Sequence, residues 1–320
     1  MTRIGSTRQA AFTLLLSVSI VTLVTAGGPR GTRVYTLEPS THGNPEGVAF
    51  DKRTGTFFVG ATGDGTIYRG TLDDPTLTEF ISGSPGQEAV GLKVFQGMLY
   101  VAGGFSGRVA VYDIDTGQLV ASFEGFGAGM LNDLVVTNHG EVYVTDSFVP
   151  TLWHITAAQV AEGGGTPEGI PLDPAILEWN FNPFAFNLNG IVELHGGRSL
   201  IVMQSETGKL FRIDLDPKEG SGPEIHEIVA EPIFGDGLLI DKGRLVVVTF
   251  APTFSLTFVD LDHRAARGTV VERRTDPTLR GPSTVARARN VYLVVNADFE
   301  TGTMPFTVTA LPRNVHGDEE

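Results

Sequence analysis

Six segments of this chain repeat one grammar, and that repeat limits the fold more than any other feature. Each has a loop ending in a small or polar residue, an apolar strand, a tight turn, a second apolar strand, a polar loop and a third strand. The first runs Pro45-Glu46-Gly47-Val48 into a turn at Arg53-Thr54-Gly55. The others begin near Val90-Gly91, Asn132-Asp133, Asn189-Gly190, Asp236-Gly237 and Pro282-Ser283, with the sixth the most divergent. One antiparallel blade of four strands takes roughly 40–50 residues, which matches the intervals. The chain's 40 glycines supply the turns that so many hairpins need. The spacing predicts an all-β, six-bladed β-propeller. Arg33 to Leu37 is expected to be the outer strand that closes the ring on the sixth blade. The long interval from Thr156 to Asn187 is expected to add one or two helical turns, ending at Gly163 to Gly165, and then an outer strand within Pro167 to Leu172. The paired Gly-His and Trp-Asp marks of WD40 blades are absent.

The N-terminus has its own signal. Arg3 and Arg8 precede an apolar run from Ala10 to Val24, which ends at Val24-Thr25-Ala26. That order predicts a signal peptide over 1–26, cleaved after Ala26, leaving 27–320 as one propeller domain. A secreted protein, extracellular or periplasmic, follows. No cysteine is present, so disulfides, thiolate metal sites and cysteine nucleophiles are excluded. Cleavage removes two arginines and no acid, taking the net charge from −14 to −16. Such a surface repels phosphates and anionic lipid, so neither nucleic acid nor membrane is an expected partner. A monomer acting on a small molecule is expected.

In a propeller the residues just before each first strand gather at one channel mouth. Aligning the six starts places Glu46, Val90, Asn132, Asn189, Asp236 and Pro282 there. Four carry oxygen donors, two charged and two neutral. Each alone is an ordinary turn residue. Together at matching points of one ring they suit a hard divalent ion, with calcium favoured over zinc because no His or Cys joins them. The ends of second strands are also expected at the mouth, which brings in Asp146, Thr249, Gln204 and Asn296. Asp146 could be a general base, a partner of a ligand or a turn residue. Phe105, Phe148, Phe184, Phe186, Phe250 and Phe254 stand in nearby loops and point to an apolar pocket. Of the seven histidines, only His42 is close enough in sequence to approach the channel.

The phrases Pro45-Glu46-Gly47, Leu131-Asn132-Asp133, Leu188-Asn189-Gly190 and Gly235-Asp236-Gly237 resemble the metal motifs of the senescence marker protein, gluconolactonase and luciferin-regenerating enzyme family. The resemblance spans about 33 to 312. It implies a six-bladed propeller with one calcium or other divalent ion in the channel, held by Glu46, Asn132, Asn189 and Asp236, and hydrolysis of a lactone or similar ester. Sugar-lactone hydrolases of that family carry an arginine where Met130 stands, so an apolar substrate is expected. Met130, Phe148, Phe186, Gln204 and Asn296 are the expected pocket residues, with Asp236 or Asp146 taking the proton. A non-catalytic binding module with a structural calcium is the first alternative. A strictosidine-synthase-like propeller enzyme is the second.

Overall fold

The computed structural model describes residues 31–127, 129–215 and 222–313. The expected signal peptide lies outside them. Their strands form six blades. Blade one is β2 (Pro45–Asp51), β3 (Thr56–Ala61), β4 (Ile67–Thr71) and β5 (Thr76–Ile81). Blade two is β6 (Leu92–Phe95), β7 (Met98–Ala102), β8 (Val109–Asp113) and β9 (Leu119–Phe123). Blade three is β10 (Leu131–Val136), β11 (Val142–Asp146), β12 (Thr151–Ile155) and β13 (Glu168–Pro171). Blade four is β14 (Leu188–Leu194), β15 (Ser199–Gln204), β16 (Lys209–Asp214) and β17 (Glu224–Ile228). Blade five is β18 (Phe234–Asp241), β19 (Arg244–Ala251), β20 (Ser255–Leu261) and β21 (Gly268–Arg274). Blade six is β22 (Pro282–Ala288), β23 (Val291–Asn296) and β24 (Thr307–Pro312), completed by β1 (Arg33–Glu38).

The ring closes as expected. β1 pairs antiparallel with β24, from Arg33 opposite Ala310 to Thr36 opposite Thr307. It also runs parallel to β5, so blades six and one share one continuous sheet. A propeller has two blades at its seam, and stitching them with the first strand removes an open edge there.

Cohesion comes from six apolar clusters, each between two neighbouring blades. Leu77, Phe57, Val295 and Val308 join blades one and six, and Phe58, Leu92 and Leu99 join one and two. Val111, Phe123, Leu134 and Val144 join two and three. Leu152, Ile191 and Phe211 join three and four, Met203, Leu238 and Val247 join four and five, and Val248, Leu256 and Val294 join five and six. Each such side chain contributes about 1.5–3 kcal/mol by its burial. A ring built this way has no single core to lose.

The long interval behaves as its residues dictate. Thr156 caps α1 (Ala157–Glu162), accepting from the Gln159 backbone N–H, while the Gln159 side chain reaches back to the Thr156 N–H. Gly163 ends the helix at φ 84°. Beyond β13, Leu172, Leu177 and Trp179 drop into the cluster between blades three and four. No helix among the described residues is long and apolar enough to cross a membrane.

Candidate functional site

Five of the six first strands carry the same irregularity at their start. In blade one Pro45 pairs with Ala61 but Val48 pairs with Val59, so three steps on one strand face two on the other. The same slip occurs at Leu131/Leu134, Leu188/Ile191, Gly235/Leu238 and Pro282/Val285. Such a bulge re-aims the side chain inside it. Glu46, Asn132, Asn189 and Asp236 are the residues inside four of these bulges, and all four line one cavity of about 700 Å³. The glycine that follows in blade one lets the blades close up: a Cβ on Gly47 would lie 2.0 Å from the Val90 carbonyl oxygen.

Hydroxyls from the preceding blade hold these bulges in place. Ser283 donates to the Glu46 carbonyl at 2.8 Å, and Thr145 donates to the Asn189 carbonyl at 2.6 Å. Ser147 donates to the Leu188 carbonyl at 2.6 Å and Ser205 to the Gly235 carbonyl at 2.7 Å. Side chains are fixed too. The Asn132 amide nitrogen donates to Ser147 Oγ at 2.9 Å, and Glu46 Oε1 accepts from Thr284 Oγ1 at 3.2 Å.

One oxygen of each residue is left over. Glu46 Oε2, Asn132 Oδ1, Asn189 Oδ1 and Asp236 Oδ1 are buried and make no hydrogen bond. Among the described residues only two other buried side-chain atoms share that condition, Thr207 Oγ1 and Arg280 Nε, and Arg280 is ion-paired with Asp298. Leaving a buried acceptor unsatisfied costs about 1–3 kcal/mol, more for a charged group. Four such acceptors facing one cavity amount to a prepared set of hard oxygen donors.

Their electrostatics agree. Burial, then the charges of Asp236 and Asp133, push the Glu46 carboxyl well above its ordinary range, against the Thr284 hydrogen bond and Lys93. Burial and the Asp133 charge push Asp236 up to about 8, although the Asn189 side chain hydrogen-bonds it. Asp133 itself is satisfied: Lys93 Nζ lies 3.1 Å from its Oδ1, which also accepts from the Leu134 N–H at 2.8 Å. At the cavity floor Glu46, Asp133 and Asp236 thus act on one another, with Lys93 beside Asp133.

Above this floor the wall is apolar. Val90, Phe105, Met130, Phe186, Phe250 and Phe299 line the cavity, with Thr62, Glu88, Ser205 and Glu206 as its polar members. Phe148 stands behind the wall, its ring 5.4 Å from Phe105 and 5.2 Å from Phe186. Phe184 and Phe254 are exposed and outside the lining. His42 bonds Asp64 Oδ2 at 2.7 Å and is not part of the cavity.

Four expected positions at the second-strand ends need correction, as does Phe148, which stands outside the lining. Asp146, Gln204 and Asn296 end their second strands but do not face the cavity; all are fully buried. Asp146 Oδ1 accepts from the backbone N–H groups of Met130 (3.0 Å), Phe148 (2.9 Å) and Val149 (3.0 Å), and Oδ2 from Trp153 Nε1 at 3.3 Å. Its acceptors are spent on holding two loops, so it is not a free base, even though burial raises its pKa against those bonds. Gln204 donates to Asn187 Oδ1 at 3.0 Å and accepts from the Glu206 N–H at 2.9 Å. Asn296 accepts from the Arg280 N–H at 2.9 Å and donates to Thr278, Thr307 and Thr309. Thr249, the fourth such residue, is buried against Thr257 Oγ1 at 2.7 Å. Side chains on a strand alternate, and the cavity is reached one residue later. Thr62, Ser205 and Phe250 occupy that later position and do line it.

No family model matches the chain, and no curated protein matches it. Solved structures do. A gluconolactonase of Xanthomonas campestris superposes with TM-score 0.61 at 16% identity, over 88% of this chain and 89% of that one. A periplasmic gluconolactonase of Pseudomonas aeruginosa gives 0.53 at 16%, over 79% and 78%. A catalytically inactive virginiamycin B lyase of Staphylococcus aureus, solved with quinupristin, gives 0.55 at 12%, over 88% and 98%. These likenesses define the class: a β-propeller of gluconolactonase-like fold. Because a hydrolase and a lyase share it, the fold does not choose the chemistry.

Proposed function

We propose that this chain is an exported, monomeric hydrolase of a small apolar lactone or ester, dependent on one divalent cation, calcium, at the channel mouth. Glu46, Asn132, Asn189 and Asp236 would hold the cation. The carrying observation is that these four residues each keep one buried oxygen without a partner and line the same cavity. Two carboxylates and two amide carbonyls suit a hard cation that completes its sphere with water. When bound, such an ion supplies Lewis-acid polarisation of a carbonyl and acidification of a water.

The chain's own groups divide the remaining work. Asp236 would take the proton at the cavity floor, a role supported by its raised pKa and by the Asn189 side chain that hydrogen-bonds it. Asp146 positions: it pins the Met130 backbone two residues before Asn132. Phe105, Phe186, Phe250 and Met130 exclude water and seat the apolar part of the substrate. Met130 stands where sugar-lactone hydrolases of the resembled family carry arginine, which favours an apolar ligand over a sugar.

A panel of lactones and aryl esters, assayed on the mature protein with and without chelator, tests this. Chelator-sensitive turnover, faster for long-chain or aromatic lactones than for gluconolactone, is expected. Turnover indifferent to chelator, or fastest with gluconolactone, would refute it.

A further inference from the structure

Two acids of the cavity wall, Glu88 and Glu206, lie outside the set of four lining residues that keep an unpartnered buried oxygen. Glu88 precedes blade two, and Glu206 follows β15 of blade four, so they stand on different walls. The loop beside Glu88 is shaped around that carboxylate. Phe105 donates its N–H to Glu88 Oε2 at 2.8 Å, and Gly104 lies so close that a Cβ on it would fall 1.8 Å from the same oxygen. Glu206 Oε1 accepts the Phe186 N–H at 3.2 Å, and Oε2 accepts from Asn180 Nδ2 at 3.0 Å. Each acid thus fixes the backbone of a phenylalanine whose ring lines the cavity. Among the described residues, no Lys, Arg or His lines it. Among the described residues neither Glu88 nor Glu206 forms an ion pair, and their bonds come from neutral donors.

Aromatic faces attract a positive charge through their quadrupole, and a carboxylate on the same cavity wall adds a Coulomb attraction. Phe105 and Phe299 are each 59% exposed, Phe186 41% and Phe250 38%, so all four offer surface to a ligand. The unpartnered oxygens of Glu46, Asn132 and Asn189, on residues at least nine-tenths buried, mark the same cavity as one built to receive something.

We propose that the cavity selects ligands carrying a positive charge beside an apolar body, an aryl or alkyl ammonium, with Glu88 and Glu206 as the specificity-determining acids. This rests on reading the cavity as the substrate site. It narrows an apolar ester or lactone to one bearing an amine or quaternary ammonium group, and it disfavours carboxylate-bearing substrates.

Binding tests this without turnover. Calorimetric titration of the full mature protein in excess calcium would compare three probes of equal length: a phenylbutyl-trimethylammonium, its uncharged carbon isostere, and phenylpentanoate. The ammonium is expected to bind at least about tenfold more tightly than the isostere, roughly the effect of one favourable charge contact, and the carboxylate most weakly. The preference should shrink in high salt. Glu88→Gln and Glu206→Gln each keep an oxygen acceptor for the phenylalanine N–H, so the loops stay anchored, and each should cut the preference severalfold. Equal binding of ammonium and isostere, a preference untouched by both substitutions, or no binding of any probe would overturn the proposal. Ammonium preference without ester turnover would sink the hydrolase reading alone; chelator-sensitive turnover without charge preference would sink this one alone.

Discussion

Replacing Asp236 with alanine removes one of two carboxylates from the proposed donor set and one of its four unpartnered oxygens. The ring should survive, because the six inter-blade clusters do not include this residue. What should vanish is the stability a bound ion supplies. That increment is RT ln(1 + [L]/Kd), about 2.7 kcal/mol at a hundredfold excess of calcium over Kd. In a domain of this size about 1 kcal/mol moves Tm by about 2 °C, so the wild type should gain about 5 °C on calcium addition. The variant should gain nothing. Without metal, its melting should match or exceed that of chelated wild type, since Asp236 there carries an acid raised by burial and by the Asp133 charge. Val90→Ala is the control. Val90 occupies the equivalent place in blade two and offers no side-chain oxygen; the substitution costs packing but should leave the calcium increment intact. Scanning calorimetry of the three proteins, with chelator and with calcium, reads all of this. A wild-type increment in Asp236→Ala would refute the four-residue site and leave the non-catalytic binding module as the better reading.

Other expectations concern pH, Asp146 and the N-terminus. In metal-free protein the raised acids favour folding while protonated: that contribution is complete below about pH 4, the ordinary carboxyl value, and is lost as pH rises through about 8 for Asp236. Chelated protein should therefore lose stability across that window in a pH series of melts, and calcium addition should release protons into an unbuffered solution. Asp146→Ala strands three backbone N–H groups and the Trp153 N–H, so it should cost about 3 kcal/mol or more in denaturant melts. Its folded fraction should keep measurable turnover where Asp236→Ala has none. Secreted protein should show, by intact mass, a chain that begins at Gly27; material beginning at Met1 would contradict cleavage.

The ring was legible because its information is periodic. Turn glycines and alternating apolar residues recur at each of Val48, Leu92, Leu134, Ile191, Leu238 and Val285, and β sterics leave few ways to bury such a series. Even the divergent sixth repeat could be placed, since Arg33 to Leu37 had no partner unless the ring closed on it. The gathering of Glu46, Asn132, Asn189 and Asp236 at one cavity was legible for the same reason. They sit at one phase of the repeat, where the bulge between Pro45 and Val48 and its counterparts turn that phase toward the axis.

The apolar part of the cavity wall was legible in Met130, Phe105, Phe186 and Phe250, but its polar part was not, and the cause is a single residue of register. The second strands end with Asp146, Gln204, Thr249 and Asn296, polar residues that look suited to a mouth. Asp146, Gln204 and Asn296 are instead the anchors that satisfy loop N–H groups inside the blade, and Thr249 pairs with Thr257, while Thr62, Ser205 and Phe250, one step on, turn to the cavity. With a period of two, an error of one exchanges the inside of a blade for the channel. The acids Glu88 and Glu206 stand in loops of different blades and share no phase of the repeat. Glu88 belongs to the loop entering blade two, the one blade whose first strand shows no bulge, and Val90 there offers no oxygen side chain. A blade that gives no donor to the floor can give its entry loop to the wall. On the proposed reading specificity and ion binding lie on different parts of the ring, so Glu88→Gln should change which ligand binds while leaving the calcium increment untouched.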